Sequence, residues 1–343
     1  MVLFTSFQLN VKLSVLIVYY KTPGLLIDCL QSLFSFSHAN MDVWVIDNDS
    51  NDGIEQTLQL KFPNVHYRNT GYNAGFARAN NLGIMQSDSE FVLLLNSDTI
   101  VIDDAVNRCL HEMERSDVVA SGVQLLNQDG SPQISGNFAI RGGLNYLMPL
   151  PYIGQALRWI ALQTNVQRPS IPEIISQQEV DWINGAFLMV RRNAIEKAGL
   201  LDEDFFLYAE EAEWCHRLKK QGKLCIHGDL NVYHLQGASA NEAFASSGHG
   251  YYNLFDRKGA QILVSNMLRI RKEFGLGWLF VHWSFQVFTI LVFGVGVMIE
   301  ALLPKRNAFY QPKQWLGYLK NMILLTKLIP SMALRKKRFY KVL

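Results

Sequence analysis

The chain has 343 residues, 49% of them hydrophobic and 18% charged, with a formal net charge of +2. That length buries a full core in one large or two modest domains, and the composition excludes a disordered or fibrous chain. The charge is too small for a nucleic-acid binder but is unevenly spread, with ten Lys or Arg and no Asp or Glu from Lys305 to Leu343.

The N-terminal "MVLFTSFQLNVKLSVLIVYY" has neither the basic start nor the small-residue cleavage site of a signal peptide. Its apolar run "LSVLIVYY" (13–20) predicts a buried strand, and Pro23 then opens a helix carrying "LLIDCLQSLFSF". "VWVID" (43–47) predicts a second strand, ending in "NDSNDG", a loop able to cap the next helix. "VHYRN" gives a short third strand, "AGFARANNLGIMQS" a helix, and "FVLLLNSD" (91–98) a fourth buried strand with a polar end. Repeated strand–helix units with continuously apolar strands predict a parallel α/β sheet covered on both faces. Ligands bind such sheets beyond the carboxyl ends of the strands, where Tyr19, Asp47 and Asp98 fall.

Residues from about 127 to 180 show no readable pattern, and "RPSIPEIISQQ" reads as a loop or flap. "VDWINGAFLMVRR" (180–192) predicts a strand with a glycine in its middle, a mark of close approach by a ligand or another backbone. "FFLYAEEAEWCHRLKKQG" (205–222) then sets Glu210, Glu211 and Glu213 directly behind a run of aromatics. Acids suit the first turn of a helix, where they meet the positive end of its dipole. Glu213 can also pair with Arg217 one turn later.

Trp278 to Ile299 holds 22 residues without a formal charge. At ~1.5 Å per residue that just crosses a bilayer core of ~30 Å, and it equally suits a buried core helix. His282, Gln286, Gly294 and Gly296 make it a poor lipid-facing span. In "QPKQWLGYLKNMILLTKLIP" Lys313, Lys320 and Lys327 recur every seven residues, largely away from Trp315, Leu319, Met322 and Ile323. Such a basic amphipathic helix, followed by "RKKR" (335–338), suits an anionic membrane surface. A single span would place the basic tail outside, against the positive-inside rule. The expectation is a peripheral or re-entrant anchor on the cytoplasmic face of the inner (plasma) membrane. Cys29, Cys109, Cys215 and Cys225 form no CxxC pair and no metal-ligand spacing, which fits free thiols in a reducing compartment.

Neither GxGxxG nor GxxxxGK[ST] follows the first strand; "YYKTPG" stands there. That argues against a dinucleotide-binding dehydrogenase and a P-loop enzyme. "LLLNSDT" (93–99) offers another way to hold a diphosphate, because a carboxylate at a strand tip can bind Mg²⁺ or Mn²⁺, which bridge to phosphates. An Asp in that place also serves as an ordinary turn residue.

Taken in order, "SVLIVYYKTP", "VWVIDNDSNDG", "NTGYNAGFARANNLGI", "VLLLNSDT", "WINGAFLMVRR", "FFLYAEEAEWCHRLKKQG" and "VYHLQGAS" resemble the inverting family 2 glycosyltransferases, in their rhamnosyltransferase-like branch. The likeness runs from about residue 13 to 273, and the combination is specific although each motif alone is not. It implies an α/β glycosyltransferase-A (nucleotide-diphospho-sugar transferase) fold, with a mostly parallel Rossmann-like sheet. Residues 1–273 would form the catalytic domain and 274–343 membrane-associated helices. By the same likeness Tyr19 and Asp47 contact base and ribose, with Asn73, Gly75 and Asn80 near the nucleoside and diphosphate. Asp98 is the metal ligand of a DXD-type motif whose first Asp is here Asn96, and His234 is a second ligand. Trp182, Gly185 and Ala186 lie beneath the acceptor and donor sugar. Each also has a structural alternative. Asp47 can cap a helix, Asn73 and Asn80 can be loop and helix-surface residues, and His234, Trp182 and Gly185 can simply pack.

Inverting transfer needs a base to take the acceptor hydroxyl's proton and a group that stabilises the departing diphosphate. Its transition state resembles an oxocarbenium ion. A metal ion offsets the leaving charge without a protonated acid. The family's base, the second acid of its pair, falls on Glu211; Glu where Asp is usual adds a methylene and leaves Glu210 as the alternative. The aromatic run Phe205, Phe206 and Tyr208 supplies an apolar wall that raises a nearby carboxylate's pKa. The expected enzyme is a metal-dependent hexosyltransferase. It would use a nucleotide-sugar such as dTDP-rhamnose and a saccharide or polyprenyl-diphosphate-linked acceptor in cell-surface polysaccharide assembly. Rivals are a polyprenyl-phosphate sugar synthase, which needs no base, and a non-catalytic sugar-nucleotide-binding protein.

Overall fold

A computed structural model describes residues 13–37, 40–163, 170–235, 241, 243–244, 246, 253–302 and 309–342. The apolar runs of the first half become strands, and the amphipathic segments between them become helices. In chain order these are β1 (Leu13–Tyr19), α1 (Pro23–Phe36), β2 (Met41–Asp47), α2 (Ile54–Lys61), β3 (His66–Asn69), α3 (Gly75–Gln86) and β4 (Phe91–Asn96). β5 (Thr99–Val101), α4 (Ala105–Glu114) and β6 (Ala120–Leu126) follow. The stretch without a readable pattern contains β7 (Gly136–Asn137), a 3₁₀ helix (Arg141–Leu147), α5 (Ile153–Gln163) and β8 (Gln177–Val180). Beyond it come β9 (Trp182–Ile183), β10 (Phe187–Arg191), α6 (Arg192–Ala198), α7 (Glu210–Leu218) and β11 (Leu224–His234). The chain closes with α8 (Arg257–Glu273), α9 (Leu276–Ala301) and α10 (Pro312–Ala333).

Nine strands form one sheet in the order β3-β2-β1-β4-β10-β6-β11-β5, with β8 also on β11. β3, β2, β1 and β4 are mutually parallel, and β6 and β11 run the same way through the antiparallel β10. β5 and β8 run against β11. The sheet is therefore mostly parallel, as expected. Burial on both faces explains the unbroken apolar strands. Leu13, Val15, Ile17 and Tyr19 of β1 pack with Leu26, Leu30, Leu33, Cys109 and Met113 on one face. Leu16 packs on the other with Ile84, Ile195, Trp214 and Leu218. Each such fully buried aliphatic side chain contributes roughly 1.5–3 kcal/mol. All four cysteines are unpaired and buried.

One expectation is corrected. "VDWINGAFLMVRR" is not a single strand; it breaks at Asn184, whose carbonyl accepts from Phe187 N and whose Oδ1 accepts from Ala186 N at 3.0 Å. β9 pairs with β7 in a separate two-stranded ribbon, while β10 joins the large sheet. Gly185 marks the turn between them, not a point within a strand. The "NDSNDG" loop meets α2 through Asp52, whose Oδ1 accepts from Ile54 N at 3.2 Å, although the N-cap position itself is Gly53.

The helices after Glu273 share a core with the acidic motif: Phe205 and Ala209 pack with Leu279, Phe293, Met322 and Leu325. On α9 the polar side chains His282, Gln286, Thr289 and Glu300 are buried, whereas Phe288, Leu291, Val295 and Met298 are more than half exposed. After α10 the chain turns at Arg335 and returns as a strap. Arg338 N and Tyr340 N donate to Asp204 Oδ1 and O, and Val342 N donates to Gln261 Oε1. Phe339 is held between the Arg78 guanidinium, 3.8 Å from its ring centre, and the edge of Phe206. Lys341 Nζ donates to Asn73 O at 3.1 Å.

Candidate functional site

Strand register builds the first half of the site. Tyr19 is opposite Asp47, and Asp47 is opposite Asn69, so the carboxyl ends of β1, β2 and β3 align in one polar row. Asn96 closes the row, its neighbour on β1 being Val18. Asp47 is buried, and its oxygens accept from Ser50 N at 2.9 Å, Tyr67 OH at 2.8 Å and Asn69 Nδ2 at 3.3 Å. Those bonds organise the loop behind β2; the cap of α2 falls elsewhere. The Tyr19 hydroxyl donates to Asp52, and burial together with the nearby carboxylates pushes its pKa up.

The loop leading into α3 is held by Asn48, which accepts from Ala74 N at 3.2 Å and donates to Gly75 O at 3.1 Å. Asn73 Oδ1 accepts from Gly75 N. Gly75 has φ +75°, and a Cβ there would lie 2.0 Å from Phe206 O. Only glycine fits where the first turn of α3 meets the chain leading to α7. Asn80 is buried inside α3, with Nδ2 turned back to Phe76 O and Oδ1 without a partner. The adjacent Asn81, unmarked in the sequence, clamps Leu201 through both its N and its O.

The second half follows from β5 pairing with β11. That register sets His234 opposite Thr99, and His234 Nε2 comes to 3.4 Å from Asp98 Oδ1 and 3.3 Å from Asn96 Nδ2. Residues 136 positions apart thus meet at the tip of β4. His234 Nδ1 lies 3.0 Å from Gln133 Oε1, a residue from the unreadable stretch that no sequence signal marked. Among the described residues no cluster of three or more His, Cys, Asp or Glu could cage a metal. Two protein donors suit Mg²⁺ or Mn²⁺ when substrate phosphates and water supply the remaining oxygens. With its Nδ1 engaged by Gln133, the imidazole turns Nε2 toward a carboxylate, a donor pair that a divalent cation completes. The residues therefore fit the ion.

The β9–β10 turn joins this pair to the acids of α7. Ala186 O accepts from Asn96 N at 3.0 Å, while a Cβ on Gly185 would touch Glu211 Cβ and Cγ at 3.4 Å. Trp182, at the start of the same segment, has a buried indole N–H near Glu211 but short of a formed hydrogen bond. The expected pocket residues Trp182, Gly185 and Ala186 thus lie between the two expected reactive groups.

Each of the three acids has a different setting. Tyr208 and Ala209 have φ +74° and +68° immediately before Glu210. Two consecutive left-handed residues cost roughly 1–3 kcal/mol each, strain of a kind that gathers at functional sites. The kink aims the first turn of α7. Glu210 is 2% exposed, its Oε2 has no partner, and burial plus the neighbouring Glu211 holds its pKa well above the usual carboxylate range. Glu211 is half-buried, and burial lifts it to about 7 against the backbone N–H groups of α7 and the Trp182 indole, which favour the charge. Glu213 makes a two-oxygen pair with Arg217 at 2.7 and 2.8 Å, and Arg217 also donates to Ala198 O and Leu200 O.

Residues 14–168 match the model of "Glycosyl transferase family 2". The chain is 27% identical over 216 residues to the "Low-salt glycan biosynthesis hexosyltransferase Agl10" of Haloferax volcanii, covering 61% of this chain and 62% of that protein. It is 29% identical over 213 residues to the "N-acetylglucosaminyl-diphospho-decaprenol L-rhamnosyltransferase" of Mycobacterium tuberculosis, 58% of this chain and 67% of that one. Among solved structures, the mannosyltransferase PcManGT of Pyrobaculum calidifontis, in complex with GDP-Man and Mn²⁺, superposes with a TM-score of 0.52 at 12% identity. That match covers 93% of this chain and 86% of the other. GalNAc-T7 with UDP, GalNAc and Mn²⁺ gives 0.50 at 13% identity, covering 81% and 57%.

Proposed function

We propose that this chain, whose residues 14–168 match the glycosyl transferase family 2 model, is an inverting, metal-dependent transferase acting on a nucleotide-sugar donor and a hydroxyl of a lipid-linked saccharide. Rhamnose is the favoured sugar, since the Mycobacterium tuberculosis relative is named an N-acetylglucosaminyl-diphospho-decaprenol L-rhamnosyltransferase. The observation that carries the reading is the continuity from Asp98 and His234, through Asn96 and the 182–186 turn, to Glu211.

In this reading Glu211 is the base. It is the acid that touches the turn, whereas Glu210 is shut away, with burial and the neighbouring Glu211 pushing its pKa up. A base of pKa near 7 is ionised often enough to work and basic enough to draw a hydroxyl proton, worth typically ~10²–10⁴ in rate. Asp98 and His234 would hold Mg²⁺ or Mn²⁺; when bound, the cation offsets the charge that gathers on the departing diphosphate. Asn96 contributes an amide without charge, which leaves Asp98 the only anionic protein ligand in the set. The Trp182 segment shields the reacting ring from water. The polar row of Tyr19, Asp47 and Asn69 receives the nucleoside, with the Asn73–Gly75 loop and Asn80 beside the diphosphate.

Acceptors carried on a lipid place the enzyme at a membrane surface. The outward apolar face of α9 and the lysines of α10 support in-plane attachment to the cytoplasmic leaflet. The test is nucleoside diphosphate release from a panel of donors, with and without Mn²⁺. Asp98→Asn and Glu211→Gln are each expected to lower kcat by at least ~10²-fold. Full turnover by Glu211→Gln would instead mark an acceptor that is already ionised, as in polyprenyl-phosphate sugar synthesis.

A further inference from the structure

Gln133 lies outside every motif of the chain, yet it is 6% exposed and bonded on all sides. Its Nε2 donates to His234 O at 2.6 Å, to Asn127 Oδ1 at 2.8 Å and, more weakly, to Leu126 O at 3.3 Å. Those three acceptors fix which end of the amide is nitrogen, because the reverse orientation would press its oxygen against two backbone carbonyls. Asn127 is fixed in turn, its Nδ2 donating to Ser131 Oγ at 2.9 Å. Gln133 Oε1 must then be the atom facing His234 Nδ1 at 3.0 Å, and a carbonyl oxygen can only accept.

From this chain of bonds we infer that Gln133 is a positioning residue, locking His234 in the Nδ1–H tautomer so that the Nε2 lone pair converges with Asp98 Oδ1 on one cation. The inference deepens the metal-dependent reading and rests on it for the identity of the ion. Gln133 acts from both ends of one residue: its oxygen sets the ring, and its nitrogen pins the backbone carbonyl of the same histidine. The backbone of the pair is tied as well, with Leu235 N donating to Asp98 O at 2.8 Å. Ring orientation, tautomer and the separation of the two ligands are thereby set before any ion arrives. Outer partners of this kind change metal affinity by roughly 10–100-fold when removed.

The decisive measurement is on the full-length, unsubstituted chain without metal. Long-range ¹H–¹⁵N correlation of its histidine rings, with His234→Asn identifying the signals, should show a protonated Nδ1 and a bare Nε2 at His234. Gln133→Met, close in volume but unable to accept, should lose that bias. By electron paramagnetic resonance of free Mn²⁺, with a nucleoside diphosphate present, it should bind the ion about 10–100-fold more weakly. A thermal melt of the same sample separates this loss from unfolding. A protonated Nε2 in the unsubstituted chain, or unchanged Mn²⁺ affinity in a folded Gln133→Met, overturns the inference. Tight Mn²⁺ binding with no diphosphate release from any donor overturns the proposed activity and leaves the role of Gln133 standing.

Discussion

A carboxylate that titrates at about 7 in the folded chain affects activity and stability in opposite directions. If Glu211 is the base, as proposed, it must be ionised, so kcat/KM is expected to fall about tenfold per pH unit below 7 and level off above it. For stability the folded state binds more protons than the unfolded state between the ordinary glutamate value and 7. Unfolding free energy therefore drops as pH rises through that window. Glu210, also displaced upward, adds to the same slope. Paired pH profiles of rate and of urea midpoint check this, and parallel profiles would refute it. Glu213 belongs to another account. Its pair with Arg217 anchors the loop at Ala198 and Leu200, so Glu213→Gln should cost ~1–2 kcal/mol of stability while folded enzyme keeps most of its turnover. Denaturant midpoints and specific activity, measured on one preparation, decide that. At this scale the sequence was legible where a residue sits in a short motif. Asp98, His234 and the acids of α7 could be marked because their neighbours in the chain mark them. Gln133 could not, because its partner lies 101 positions away, and although Asn69 and Asn81 sit inside the quoted "NTGYNAGFARANNLGI", nothing in that motif reveals their partners 22 and 120 positions away.

Elements were legible in proportion to their periodicity. β1 and β4 follow directly from apolar runs, because burial on both faces leaves those strands few polar positions, whereas β3 is a short, largely exposed edge strand marked by its place between breakers. The stretch from 127 to 180 failed because its elements are short and half-exposed. β7 has two residues and α5 buries little beyond Gly154. The break after β9 was hidden because a glycine inside an apolar run looks alike in a strand and in a turn. α9 shows the converse. His282 and Gln286 made it a poor lipid-facing span in sequence, but both point inward, with His282 Nε2 2.8 Å from Gly142 O. The face they leave outward is Phe288, Leu291, Val295 and Met298. Replacing Phe288 and Leu291 together by Ser should weaken cosedimentation with anionic vesicles at least tenfold without changing the melting temperature, since neither side chain belongs to the packed core. Undiminished cosedimentation would dismiss this face as the anchor.

At the scale of the whole molecule, the C-terminal helices and the large sheet with its candidate site are not independent. Phe205 and Ala209, on the approach to α7, share their core with α9 and α10, and the strap returns from α10 to the same loop. Tyr340, 2% exposed, and the bonds to Asp204 and Gln261 make that return part of the fold. Deleting 338–342 should therefore cost on the order of 3–5 kcal/mol, read as a lower urea midpoint. An unchanged midpoint would show the strap to be ornamental. The path of the strap also bears on handling the protein. Lys341 rests on the carbonyl of Asn73, so a peptide fused behind residue 342 would leave the molecule beside the loop proposed to flank the nucleotide. A reporter attached there would crowd the entrance it was meant to watch.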